Sequence, residues 1–303
     1  MTKPAIHAAI DLGTNSFRLL IAAIRPDGTL EPLAKELRTV RLGQNLHATG
    51  QLSPAAISRG LDALSRFAEH LAAYRPHRMR VCATHALRRA TNRAAFLSEA
   101  EHLLGQAVEV IDGHTEATLA LAGVRQAMGG DAPLLVADVG GGSSELIWEG
   151  GVTSLPIGAV NLTERFLPSG CLPAEAALAQ VRAAIAEATE GIALPTLPPA
   201  GLLVGSGGTA TALAALDLGL TTYDASRVQG HLLPLVRLMA LIDQLARLDA
   251  AGRNALPGLD QGRGEILLAG GLIYETLLTR LAAPALTVSD AGLLEGILGT
   301  TCA

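Results

Sequence analysis

The sequence is short of aromatic residues, lysine, cysteine and charge. Aromatics are 3% of its 303 residues, so a core must come mostly from Ala, Leu, Val and Ile. Lys3 and Lys35 are the only lysines, and the remaining positive charge is arginine, a planar fork of donors suited to phosphate. Cys82, Cys171 and Cys302 are odd in number and form no CxxC, which argues against a disulfide framework or a Cys-rich zinc site. No long apolar run opens the chain, so a secretory signal is not expected. The uncharged stretch 201–216 is broken by Ser206, Gly207, Gly208 and Thr209. It reads as strand, turn and helix rather than a membrane span. The expectation is a cytoplasmic protein with no membrane partner.

What is present is apolar and glycine-rich. Hydrophobic residues are 49% and charged residues 17%, which excludes disorder, and there are 33 glycines with no collagen-like period. The length suggests two domains. The net charge of −5 hides an asymmetry: residues 1–130 carry +4 and residues 131–303 carry −9. A basic front half can attract an anion, and the acidic remainder argues against nucleic acid as a partner.

Along the chain, strands are expected at 5–11, 17–24, 30–42, 78–83, 108–111, 134–138, 145–149, 152–155 and 202–204, with a turn at Pro26-Asp27-Gly28. Ser53-Pro54 reads as an N-cap with Pro at the first helical position, followed by the apolar stripe Leu61, Leu64, Phe67, Ala68 and Leu71. Further helices are expected at 91–104, 116–128, 173–190, 231–248, 265–281 and 291–298, with a Pro-rich connector at 194–200. Strands alternate with helices, so the class is α/β. The two halves open alike: an apolar strand, a terminal Asp, a Gly/Ser/Thr turn and a second strand. Asp11-Leu12-Gly13-Thr14-Asn15-Ser16 parallels Asp138-Val139-Gly140-Gly141-Gly142-Ser143. Glycine breaks at 129 and 130 mark a junction nearby. We divide the chain into 1–125, completed by a C-terminal helix near 288–303, and 126–303.

Three glycine-rich turns follow apolar strands, at 13–16, 140–144 and 205–209. Glycine lets backbone approach a phosphate closely, and N–H groups and hydroxyls donate to its oxygens. None has the Gly-Lys-Ser/Thr end of a Walker A loop. Asp138 and Glu145 bracket the second turn and form a candidate Mg²⁺ pair, with Asp11 the equivalent acid in the first half. Taken alone, Glu116 reads as a carboxylate complementing a helix dipole. Taken alone, the arginines of 75–93 read as a solvated basic face.

Together these segments resemble the exopolyphosphatase/guanosine pentaphosphate phosphatase family. The match runs through residues 9–20, 83–92, 110–117, 137–146, 155–160, 205–209, 263–271 and 288–296, in the family's order. The resemblance implies two ribonuclease-H-like domains of the actin/sugar kinase/heat-shock-70 type with an interdomain cleft. It implies release of terminal phosphate from inorganic polyphosphate, with pppGpp as an alternative substrate. It places the catalytic glutamate on Glu116 and the metal-site acids on Asp138 and Glu145, with Mg²⁺ or another divalent cation as cofactor. Phosphate-binding positions fall on Gly13, Thr14, Asn15, Ser16, Arg88, Gly141, Gly142, Ser143 and Gly208; Arg93 joins them as a contact for the incoming polyanion. His85 stands where the family has serine, and His114 and Thr115 where it is usually acidic. Many relatives carry a further helical module of the HD type, so this chain reads as the short form. A homodimer is expected. Two other readings are an ATP-dependent kinase of the same fold and a non-catalytic polyphosphate or (p)ppGpp sensor.

Overall fold

The computed structural model describes residues 4–25, 29–167, 171–197, 201–260 and 262–301. The expected turn at 26–28 lies outside them, as do the last three residues of the Pro-rich connector and Cys302. The chain divides into two compact units, residues 1–123 with 292–303, and residues 124–291.

The first unit is a five-stranded sheet. Its strands are β1 (Ala5–Leu12), β2 (Ser16–Ile24), β3 (Leu30–Thr39), β4 (Arg78–Ala83) and β5 (Val108–Val110), in the order β3-β2-β1-β4-β5. The first three pair antiparallel, and β4 and β5 run parallel to β1. β1 and β2 are buried along nearly their whole length, which is why both read as mostly apolar runs. Helix Pro54–Tyr74 starts where Ser53 Oγ accepts from the Ala56 N–H at 3.2 Å, with Pro54 needing no N–H partner there. Its buried residues Ala56, Gly60, Ala63, Leu64 and Phe67 recur at helical spacing. They join a core with Phe17 and Phe96, whose rings lie 6.2 Å apart.

The second unit repeats the plan. β6 (Leu134–Val139), β7 (Ser144–Trp148), β8 (Gly151–Leu155), β9 (Leu202–Ser206), β10 (Leu232–Pro234) and β11 (Ala285–Val288) form a sheet of order β10-β11-β9-β6-β7-β8. β6, β7 and β8 pair antiparallel, and β9 and β11 run parallel to β6. The internal repeat seen in the sequence is thus a repeat of ribonuclease-H-like sheet order, with β10 added at one edge.

Several elements differ from expectation. The helix expected at 231–248 begins as β10, and Pro234 precedes helix Leu235–Ala246. Proline lacks an N–H and suits both an edge strand and a helix start. β11 is only four residues long, too short for a periodic signal. The third glycine turn is shorter than read, because Gly205 and Ser206 end β9 and helix Gly207–Asp217 starts at once. Gly205 is a packing glycine: a Cβ there would lie 2.7 Å from Leu286 Cδ2. Helix Gly113–Met128 starts one turn before the expected position, which puts Glu116 in its first turn.

The last helix, Leu293–Thr300, packs on β1, β2 and β4 of the first unit. Its Gly296 leaves no room for a side chain, since a Cβ would lie 1.8 Å from Leu119 O. Arg78 and Arg80 donate to Thr301 O and Thr300 Oγ1 at 3.1 and 2.8 Å.

Candidate functional site

The chemistry-bearing segments of each unit leave the carboxyl ends of its parallel strands, where ligands of α/β sheets bind. In the first unit, turn 13–16 follows β1, Thr84 and the short helix His85–Arg89 follow β4, and Asp112 to Glu116 follow β5. Thr84 N–H donates to Leu12 O at 3.3 Å and Ile111 N–H to Ala83 O at 3.0 Å, so the three strand ends stay in step. In the second unit, turn 140–143 follows β6 and Gly207 and Gly208 follow β9.

Both glycine turns are held by their carbonyl side. In the first, Gly43 N–H donates to Thr14 O, and the Val40 and Arg41 N–H groups both donate to Asn15 O. In the second, Ala159 N–H donates to Gly140 O, Val160 and Asn161 N–H to Gly141 O, and Asn161 Nδ2 to Gly142 O. Among the described residues, the N–H groups of Gly13, Thr14, Asn15, Gly141, Gly142 and Ser143 make no such backbone bond to a carbonyl outside the regular elements. A run of N–H groups whose carbonyls face away is an anion-binding nest. Thr14, Asn15, Ser16 and Ser143 are all buried.

The glycines here are required sterically. Gly207 has φ +79°, and a Cβ on it would lie 2.7 Å from Asp138 Oδ1. A Cβ on Gly208 would lie 2.4 Å from Nη2 of buried Arg263. Below them Tyr274 is fully buried, its hydroxyl 3.0 Å from both Ala137 O in β6 and Ser206 O at the end of β9.

The acids divide by unit. Asp138 and Glu145 are direct cross-strand partners on β6 and β7, so their carboxylates share a face. Glu145 Oε1 accepts from Ser154 Oγ at 3.0 Å. Asp11, the repeat equivalent of Asp138, stands opposite Arg18 instead. Two adjacent carboxylates fit Mg²⁺, which binds through one or two carboxylates and keeps several waters. No group of three or more His, Cys, Asp or Glu suited to a metal occurs among the described residues, so a closed protein cage is not what these residues form.

Glu116 is paired with Arg88: Arg88 Nη1 donates to Glu116 Oε2 at 2.5 Å and to Ile111 O at 2.9 Å. Arg93 does not extend outward; its Nη1 donates to Leu87 O and Arg88 O at the end of the short helix. The basic segment 75–93 is therefore not one solvated face. Arg75 caps a helix, Arg78 and Arg80 hold the C-terminal turn, Arg88 pairs with Glu116, Arg93 holds two carbonyls of the short helix, and of Arg88, Arg89 and Arg93 only Arg89 is exposed. Burial holds the His85 imidazole down to about 4, with help from Arg88 and Arg89, so it is neutral near pH 7. Burial pushes the Cys82 thiol up to about 12.

Sequence reasoning found the turns and the acids but missed three supports. These are the 40–44 segment over the first turn, Arg263 against Gly208, and Tyr274 beneath β6 and β9. Their signal was weak because each acts through a backbone carbonyl or a bare glycine, which residue spacing does not reveal.

Residues 20–301 match the Ppx/GppA phosphatase family. The chain is 38% identical to exopolyphosphatase 2 of Mycobacterium tuberculosis, with 96% of each chain covered. It is 35% identical to a guanosine-5'-triphosphate,3'-diphosphate pyrophosphatase of Vibrio campbellii, covering 97% of this chain and 58% of that one. The crystal structure of the Aquifex aeolicus Ppx/GppA family member superposes with a TM-score of 0.81 at 30% identity, covering 98% of this chain and 97% of that one. No helix among the described residues is long and apolar enough to cross a membrane. The chain belongs to the Ppx/GppA phosphatase family, and with it to the phosphoanhydride hydrolases.

Proposed function

We propose that this chain is an exopolyphosphatase that releases the terminal phosphate of inorganic polyphosphate. The observation that carries the reading is Glu116, held by Arg88 at the same strand-end edge as the N–H-rich turn 13–16. Phosphoryl transfer needs positioning and charge neutralisation more than covalent help. Each unit offers a glycine turn, 13–16 in the first and 140–143 in the second, whose N–H groups and hydroxyls suit phosphate oxygens. Arg88 adds a guanidinium fork, and the first turn of helix Gly207–Asp217 adds N–H groups at Gly208. Glu116 takes the proton of a water as the water oxygen bonds to the terminal phosphorus. The bridging P–O bond breaks, and its electron pair leaves with the shortened polymer. Such general-base help is typically worth about 10²–10⁴-fold.

Asp138 and Glu145 are the residues to hold a divalent cation, Mg²⁺ in our reading. When bound, it neutralises phosphate charge and polarises the phosphoryl oxygens. Asp11, facing Arg18, contributes to the polar surround of the first turn.

A second reading, 5'-phosphate release from pppGpp, is favoured by the match to the Vibrio pyrophosphatase over 97% of this chain. The deciding experiment is phosphate release from short polyphosphate, long polyphosphate, pppGpp and ATP without an acceptor. Turnover of polyphosphate above pppGpp supports the first reading, and the reverse order supports the second. No release from any of them contradicts both.

A further inference from the structure

Ser206 ends β9 and is the N-cap of helix Gly207–Asp217. It is 0% exposed, and its Oγ meets no hydrogen-bond partner among the described residues. An N-cap serine ordinarily accepts from an N–H of the helix it opens. Ser206 makes no such side-chain bond. A buried hydroxyl left unpaired costs about 1–3 kcal/mol, so folds keep few of them without a use.

The pairing register shows what this hydroxyl stands beside. Ser206 is the parallel partner of Asp138, Asp138 the antiparallel partner of Glu145, and Glu145 that of Ser154. Directly paired residues share a sheet face, so the four form one row across β9, β6, β7 and β8. Each acid therefore has a serine on its outer side. Ser154 Oγ donates to Glu145 Oε1 at 3.0 Å, whereas Ser206 Oγ makes no bond to Asp138. The backbone on the Ser206 side is fixed. Ser206 O accepts from the Tyr274 hydroxyl at 3.0 Å, and Gly205 O accepts from Ser289 N–H at 2.8 Å. Gly207 lets the carboxylate lie against this chain segment, since a Cβ there would be 2.7 Å from Asp138 Oδ1.

We infer that Ser206 supports the cation site from outside its ligand pair, its hydroxyl bonding to the hydration shell of a divalent cation carried by Asp138 and Glu145. The inference rests on those two acids being the cation site.

Mg²⁺ takes oxygen ligands and sheds water reluctantly, so a hydroxyl beside a carboxylate pair suits its hydrated form. Hydrogen-bonding partners behind a ligating carboxylate typically carry about 10–100-fold of metal affinity. Ser206 is a positioning residue, acting on where the cation sits and not on the phosphorus.

The test is calorimetric titration of Mn²⁺ into the metal-free full chain, without substrate, for wild type, Ser206→Ala, Ser206→Cys and Glu145→Gln. Urea unfolding of each metal-free protein runs beside it. Ser206→Ala should bind Mn²⁺ about tenfold more weakly. It should unfold at the same or a higher urea concentration than wild type, because the unpartnered hydroxyl is gone. Ser206→Cys keeps a side chain of similar shape without the hard oxygen, and should lose affinity alike. In phosphate release, the Mg²⁺ concentration for half activation should rise by the same factor, with KM for polyphosphate at saturating Mg²⁺ unchanged. Wild-type Mn²⁺ affinity in Ser206→Ala would overturn the inference, and lowered urea resistance beside it would make Ser206 a structural hydroxyl. Failure of the cation reading itself looks different: wild type would bind no Mn²⁺, or Glu145→Gln would bind it as tightly as wild type.

Discussion

Arg93 Nη1 donates to the carbonyl of Arg88 at 3.1 Å, so one arginine of the basic segment holds the backbone of another. Its second acceptor is Leu87 O at 3.0 Å. Replacing Arg93 with Ala leaves two carbonyls at a helix end without that partner, a loss of about 1–3 kcal/mol. Urea unfolding should show this, with kcat reduced and KM for polyphosphate little changed. A large rise in KM with unchanged stability would instead make Arg93 a substrate contact.

Gly207 has φ +79° and faces the Asp138 carboxylate. Gly207→Ala should cost about 1–2 kcal/mol through backbone strain alone. It should also displace Asp138, so Mg²⁺ activation shifts to higher concentration. Unchanged stability and unchanged Mg²⁺ dependence would contradict the placement of this turn.

The cross-strand pair Asp138 and Glu145 predicts a loss of cation affinity on Glu145→Gln. Calorimetric titration with Mn²⁺ or Mg²⁺ should show binding weakened by at least about tenfold. Asp11→Asn, opposite Arg18, should weaken it far less. Equal losses would place Asp11 among the ligands.

The histidines give stability a pH dependence. Burial lowers His7, with Arg78 and His77 adding to the effect, and burial lowers His85 to about 4. His85 stays neutral in the folded chain down to about 4 and His7 is held below the usual imidazole range, while both protonate near 6.5 when unfolded. The unfolded state then binds more protons, so stability is full above about pH 6.5 and falls as pH drops toward about 4. His85→Gln should flatten that fall in urea midpoints measured from pH 7.5 to 4. An equal slope in the variant would contradict a buried neutral His85.

Much of this was legible because the fold repeats itself. The Asp-ended apolar strands at 5–11 and 134–138 announced β1 and β6, since strands buried on both faces leave continuous apolar runs. Ser53-Pro54 announced its helix because capping is local chemistry. The segment 231–248 misled because Leu232 and Leu233 continue the apolar pattern of the helix behind Pro234. Glu116 on its own spacing read only as a helix-start carboxylate, and the resemblance of residues 110–117 was what singled it out. Its partner Arg88 lies on another segment, and only the parallel pairing of β1, β4 and β5 brings the two together. Arg18 and Glu145 occupy matching places in the two sheets, and that one faces Asp11 and the other Asp138 emerges only when the register is known.

The most direct measurement is phosphate release from polyphosphate by wild type and Glu116→Gln, with polyphosphate binding followed in parallel. The account predicts turnover in wild type, a fall of about 10²–10⁴-fold in the variant, and binding retained in both. Release by Glu116→Gln at the wild-type rate would contradict it.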